Sequence, residues 1–436
     1  MMNHSKNHSG NGLLQTAVSQ MAEPKNRILI LFTLEGMLIT LVNNLIGNNN
    51  NLFATRLGAS EFQLSLLTTI PQLVGLIVLI PGGILTDRMK NKRNMVMFSL
   101  ALVAVFYAMI GFVPMLEVNP YTAFLILLAA SVGPMTIYNV SWQAYFSDMV
   151  NAEEQNHIYT WRTALTFVIG IIIPFVSGSL LALAVTNNSK IRIHQIYFWI
   201  GAALLFIQIL VLKQIKGNPI VSTAKTDNAN LKVVLSELVH NKKFLGFVAV
   251  AIFFYTTWHI DWTIYFIGQV TYLELNEAWI SYVNIGSTII QFLTIGFWSR
   301  MNKRHGVRFG IIFGSLGLSL CPLCMIIATS LPVPQGKLAF LILNTLSNVA
   351  FAAVNLNMLQ CLLQVIPANN KTLTISLYTI LVTLSNAFMP MVGVIIYTKL
   401  GGDLRGFQIA YAIVFMLRIV ATCFWFLRWK MLRGQK

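Results

Sequence analysis

Four ionisable side chains fall inside otherwise apolar stretches of this sequence: Glu35, His259, Asp261 and Arg418, with Asp148 and Arg162 nearer the ends of such stretches. A charged group at the centre of a membrane helix costs roughly 2.5 to 3.5 kcal/mol on insertion scales, so each is a candidate for function. Glu35 and Asp261 have the chemistry to take up a proton in hydrocarbon and carry it across, and both are also compatible with a paired, structural role.

Neutral polar groups gather around these positions at helical spacing. Asn43, Asn44, Asn48, Asn49, Asn50 and Asn51 surround Gly47, a composition that predicts a bent or locally unwound segment beside water. Asn139, Trp142, Gln143 and Phe146 recur at i, i+3, i+4 and i+7, one face of a helix. Asn344, Asn348 and Asn355 form a second polar stripe, and Tyr255, Trp258, His259 and Trp262 a third. Amides match hydroxyls and amides, and flat rings stack on sugar or heterocycle faces. The candidate solute ligands are therefore Asn43, Asn139, Trp142, Gln143, Trp258, His259, Trp262, Asn348 and Asn355. Hydrogen bonding between helices is the alternative role for any one of them. His259 and Asp261 stand about 200° apart on a regular helix. Either Asp261 faces its neighbours while His259 faces the polar side, or the helix is broken there.

The elements that carry these residues are membrane spans. Of 436 residues, 56% are hydrophobic and only 10% charged, against about a quarter charged in soluble domains. Apolar runs of about twenty residues, enough to cross hydrocarbon, are predicted over 28–54, 62–85, 94–115, 121–149, 158–185 and 193–212, then 244–272, 278–298, 307–330, 338–366, 373–399 and 406–429. The predicted organisation is a disordered tail over 1–26, a six-helix unit over 27–212, a polar linker over 213–243, a second six-helix unit over 244–430 and a short tail over 431–436. Within the linker, Leu231, Val234, Leu235 and Leu238 suggest an amphipathic run lying on the membrane face. Leu57-Gly58-Ala59-Ser60-Glu61 reads as a tight hairpin in which Gly58 ends one helix and Ser60 caps the next.

The net charge of +16 follows topology and does not point to nucleic acid. Basic clusters at Arg88 to Arg93, Lys213 to Lys243, Arg300 to Arg308 and Arg428 to Arg433 share one side, which predicts cytoplasmic termini in a multi-pass protein of the plasma membrane. Cys321, Cys324, Cys361 and Cys423 lie in apolar runs, so neither a disulfide framework, a metal site nor a cofactor is expected. The two halves match at an offset of about 216 residues: Pro174 with Pro390, Asn139 with Asn355, Asn43 with His259.

The loop Gly83-Ile84-Leu85-Thr86-Asp87-Arg88-Met89-Lys90-Asn91-Lys92-Arg93 is similar to the Gly-x-Leu-x-Asp-Arg-x-Gly-Arg-Lys/Arg pattern of the major facilitator superfamily, with Lys90 and Asn91 departing from it. A weaker copy runs from Gly296 to Arg304, where Arg300 replaces the acid. The resemblance covers everything after the tail and implies an all-α polytopic fold of 12 helices in two six-helix repeats, with a cavity lined by spans one, four, seven and ten. It implies that Gly83, Asp87, Arg88, Lys92 and Arg93 form a conformational latch. Gly170 to Gly178 is only faintly similar to the antiporter signature of the fifth span, since Ile173 and Ser177 replace glycines; the Pro174 and Pro390 pairing explains the proline as a shared kink.

The expected function is alternating-access transport of a small neutral or zwitterionic solute, sugar- or nucleoside-like, coupled to a proton or another cation, by a monomer in the lipid bilayer. Efflux of amphipathic compounds is the alternative within that class, and a non-transporting sensor the alternative outside it. An enzyme is not expected, because no HExxH, GxSxG or nucleotide-binding Gly-rich loop occurs.

Overall fold

The computed structural model describes residues 24–89, 91–117, 119–150, 152–215, 236, 240–365 and 371–433. Most of the predicted tail 1–26 and of the predicted linker 213–243, and the last residues of the tail 431–436, lie outside them. Among the described residues there is no strand, and 12 helical segments are long and apolar enough to cross a membrane. They are Arg27–Arg56, Glu61–Leu79, Lys92–Met115, Pro120–Phe146, Trp161–Leu183 and Asn187–Gln214, then Lys242–Tyr272, Glu277–His305, Val307–Thr329, Val333–Leu362, Leu377–Lys399 and Leu404–Met431. They are numbered here as spans one to twelve. The side of the bundle that carries both chain ends is called the terminus side, and the opposite one the far side.

Local chemistry fixes where the helices start and stop. Gly58 takes φ +87° after span one, and Ser60 then caps span two: its Oγ accepts from the Gln63 amide at 3.3 Å while Gln63 Oε1 accepts from the Ser60 amide at 2.8 Å. Asn241 and Asn276 cap spans seven and eight through the amides of Phe244 and Trp279. Large apolar side chains such as Ile77, Phe292 and Met416 are exposed on the outer surface, as expected where the solvent is lipid.

Packing repeats between the halves. Span three lies against spans four and six, span two against four, and span one against five and six. In the second half span nine lies against ten and twelve, span eight against ten, and span seven against eleven and twelve. The halves meet along two seams related by the same exchange, span two with eleven and span five with eight. The duplicated sequence thus folds as a duplicated set of contacts.

Among the described residues, the polar contacts between the halves cluster on the far side. Glu277, 1% exposed at the start of span eight, accepts from Arg56 Nη2 at 2.5 Å and from Lys190 Nζ at 2.9 and 3.0 Å. Thr69 Oγ1 donates to the Ala387 carbonyl at 2.6 Å, and Tyr397 OH donates to Glu61 Oε1 at 3.4 Å. Gly178 lies so close to Ser281 and the Glu277 carbonyl that a Cβ there would collide with both. One continuous buried core joins first-half residues to far-side residues of the second half, whereas Phe247, Phe254, Met358 and Trp425 belong to a separate core on the terminus side. The far side is closed.

Removing one partner of a buried ion pair leaves the others uncompensated, at a cost of about 3 to 5 kcal/mol. Glu277→Gln is therefore expected to loosen the far-side closure. With the native cysteines replaced by serine and Val283→Cys as a buried reporter, a membrane-impermeant maleimide should label the Glu277→Gln protein several-fold faster than its parent. Equal labelling would mean that the ion cluster does not hold the halves together.

Candidate functional site

Span seven is broken at the point where the sequence set His259 against Asp261. Its first helix, Lys242–His259, ends at a turn; Trp262–Ile267 resumes the path and a wider turn, Gly268–Tyr272, ends it. Gly393 of span eleven makes the break possible, because the Ile260 carbonyl occupies the place a Cβ at 393 would need. Span nine is interrupted too, between Val307–Ser319 and Cys321–Thr329. Pro322 has no N–H to give to the Leu318 carbonyl one turn back.

Arg418 of span twelve ties both breaks together. Its Nη1 donates to the Leu318 carbonyl at 3.2 Å, Nε to Thr257 O at 3.3 Å and Nη2 to Trp258 O at 3.2 Å. Nη2 also donates to Asp261 Oδ1 at 2.7 Å. A helix end buried away from water needs such partners for its last carbonyls. The guanidinium supplies them and neutralises the carboxylate that the break turns inward.

The break opens onto a cavity of about 550 Å³ between the halves. Span one contributes Asn44, Asn48 and Asn51, one helical face; span seven contributes Trp258, Asp261, Trp262 and Tyr265; span twelve contributes Tyr411 and Arg418. The richest wall comes from spans eight and ten. Tyr265 OH donates to Asn344 Oδ1 at 2.8 Å, and Asn344 and Asn348 donate to Ser287 Oγ at 3.1 and 3.0 Å. Gln291 Nε2 donates to Asn348 Oδ1 at 2.9 Å. Across the cavity Asn48 Nδ2 donates to Asn44 Oδ1 at 3.1 Å. Pro174 and Phe351 complete the lining with apolar surface.

Of the residues singled out from sequence, Trp258, Asp261, Trp262 and Asn348 meet in this cavity. Asn43, Asn139, Gln143 and Asn355 are exposed but do not line it, and among the described residues span four contributes no lining side chain. Trp142 is buried, stacked on Phe146 at 5.1 Å with the Arg162 guanidinium 4.3 Å from its ring. His259 points to span eleven, with Nδ1 3.1 Å from Ser385 Oγ. Glu35 is fully buried inside the first half, where Tyr138 OH, Gln208 Nε2 at 2.8 Å and Arg162 Nη2 at 3.4 Å donate to its carboxylate.

In the segment expected to act as a latch, Lys92 pairs with Asp148 at 2.9 Å and Arg93 donates to the Ile215 carbonyl at 3.0 Å, both within the first half. Gly83 is half-buried; the side chains of Asp87 and Arg88 lie outside the description. Asn284, Ser287, Thr288 and Gln291 were not among the sequence candidates, although their i, i+3, i+4, i+7 spacing in span eight is the same signal that marked the other stripes.

Comparison with known proteins agrees with this architecture. The family model described as Major Facilitator Superfamily matches residues 28–294. No curated protein matches. Among solved structures, the chain is similar to a bacterial homologue of the human lysosomal transporter Spinster in an inward-facing, unoccupied conformation, with a TM-score of 0.69, 13% identity and coverage of 93% of this chain and 97% of that one. It is also similar to the nucleoside transporter NupG (TM-score 0.65, 14% identity, 94% and 99% covered) and to a D-xylose-proton symporter (TM-score 0.68, 14% identity, 91% and 96% covered). At these identities the likeness is one of fold.

Arg418→Met should lower stability by about 3 to 5 kcal/mol, since it orphans a buried carboxylate and three carbonyls at once. Thermal unfolding in detergent measures it, and adding Asp261→Asn should recover part of the loss. A melting temperature equal to wild type would remove the guanidinium from its structural role.

Proposed function

The chain belongs to the Major Facilitator Superfamily, and on that footing we propose that it moves a small neutral or zwitterionic organic solute, rich in hydroxyl or amide groups, by alternating access. It is a transporter and not an enzyme. The observation that carries the solute class is the wall of Asn284, Ser287, Gln291, Asn344 and Asn348 facing Trp258 and Trp262. Amides and hydroxyls there exchange hydrogen bonds with a polyol or amide without a net charge, and indole rings cover the flat face of a sugar or base. One guanidinium, already engaged by Asp261, is a poor match for a multiply charged phosphate. A cavity beneath a closed far side suits the state that exchanges solute with the terminus side, and the concentration of basic residues on that side supports reading it as the cytoplasmic one.

Asp261 is the coupling acid in this reading. It lines the cavity and, among the described residues, is held by a single side-chain partner, whereas Glu35 is enclosed by three within the first half. Asp87 keeps its reading as a latch between the halves. Efflux of amphipathic compounds is the second reading, favoured by the aromatic share of the lining, Trp258, Trp262, Tyr265 and Phe351.

A melting-temperature screen of the purified protein against sugars, nucleosides and amino acids on one side and lipophilic amines on the other separates the two, because a ligand of the folded state raises the transition. Stabilisation by a polar solute, lost in Asn348→Ala and Trp262→Ala, is the expected result; stabilisation by lipophilic compounds alone would replace the solute class. With that solute in liposomes, Asp261→Asn should retain solute exchange but lose accumulation driven by a proton gradient. Full accumulation in Asp261→Asn would assign coupling elsewhere, and binding with no movement in either direction would make the protein a sensor.

A further inference from the structure

Away from the cavity, a narrow groove opens on the terminus side of the second half. It is lined by Arg308 and Ile311 at the start of span nine, Cys361 at the end of span ten, and Trp425 and Arg428 near the end of span twelve. Its chemistry is unbalanced. Trp425 is only 3% exposed, yet its indole Nε1 has no hydrogen-bond partner among the described residues, and neither has the buried Nη2 of Arg428. Arg428 rests its guanidinium 5.3 Å from the Phe247 ring, and Arg308 makes no ion pair among the described residues. Buried donors without acceptors are costly, and two cations sharing a groove repel each other.

The first half provides an internal comparison. At the offset of about 216 residues, Arg308 corresponds to Lys92 and Gln364 to Asp148. Lys92 is neutralised by Asp148 at 2.9 Å, so the first copy carries its own anion. The second copy has an amide in place of that carboxylate, and its second base is Arg428, standing where the first copy has Leu212, while Phe309 stands where the first has Arg93. From Phe244 to the chain end the acidic side chains are Asp261, Glu274, Glu277 and Asp403, which belong to the bundle interior or the far-side loops.

We propose that the groove between Arg308, Arg428 and Trp425 binds the phosphate group of an anionic lipid from the terminus-side leaflet, which takes the place that Asp148 fills in the first half. Two guanidiniums and an indole N–H present donors to phosphate oxygens, and arginine is suited to phosphate by its fork of donors. The groove itself has room for about 10 Å³, one oxygen-sized group. A whole soluble solute does not enter it. A lipid phosphate does so with one oxygen while its chains lie outside, along the exposed Phe424, Leu427 and Met431. Indole rings at the end of a span mark the depth at which headgroups sit.

The test uses the full-length protein, delipidated in a neutral detergent and titrated with phosphatidylglycerol, phosphatidylcholine or inorganic phosphate while the melting temperature and the lipids retained in native mass spectra are read. Phosphatidylglycerol should raise the melting temperature saturably by several degrees, more than phosphatidylcholine. Arg308→Gln combined with Arg428→Gln should weaken that titration by roughly tenfold or more. Gln364→Asp, which restores the carboxylate of the first copy, should weaken it as well while leaving or raising the lipid-free melting temperature, and it decides the matter should the double variant fail to fold. A full shift with inorganic phosphate alone would uphold the phosphate site and assign it to a soluble anion. No shift with any of the three in the wild type, or a phosphatidylglycerol shift unchanged in Gln364→Asp, would overturn the proposal.

Discussion

One guanidinium holds the interior of the second half together. Spans seven and nine both surrender helical hydrogen bonds, one to a turn at Ile260 and Asp261 and the other to Pro322, and in lipid such losses have no water to offset them. Arg418 reaches across to both, donating to three carbonyls and one carboxylate. The breaks are what let Asp261, Trp262 and Tyr265 turn toward the cavity, so the site depends on a residue that contributes mainly through its backbone contacts. A straight span seven would present a different set of side chains, and Gly393 would have no carbonyl to accommodate.

Around that interior the symmetry of packing and the asymmetry of chemistry coexist. The helix neighbours of the first half recur in the second, and the two seams exchange under the same operation. The polar groups do not recur. Glu35, Tyr138, Gln208 and Arg162 form a closed network within the first half, while the second half directs its amides outward into the cavity. The two copies thus share a scaffold but not its chemistry: the first keeps Glu35 and Arg162 away from the cavity, while the second brings Asp261 and Arg418 to the cavity wall and supplies most of its lining, opposite Asn44, Asn48 and Asn51 of the first.

The spans and the hairpin cap at Ser60 were legible because each is decided by a few neighbouring residues: apolar length for a span, Gly58, Ser60 and Gln63 for the cap. The break in span seven was half legible, since His259 and Asp261 could not both face one side of a regular helix. What sequence did not reveal is helix rotation. Asn44 lines the cavity and Asn43 does not, a difference of one residue or about 100° that only the packing of span one on spans five and six decides. Trp142 belongs to an aromatic cluster with Phe32 and Phe146 beneath Arg162, a role indistinguishable by spacing from that of a cavity ring. The stripe of span eight obeys the same spacing rule as the others, but the resembled family directs attention to spans one, four, seven and ten.

The amide wall is already bonded to itself: Gln291 to Asn348, Asn348 and Asn344 to Ser287, Tyr265 to Asn344. A solute of the proposed class would therefore trade bonds and not merely add them, each exchange being close to even in energy. Such a lining favours quick residence over tight retention. It also makes discrimination depend on what a misfit strands: an analogue lacking one hydroxyl would free a wall amide without satisfying it, so the penalty for the wrong guest exceeds the reward for the right one.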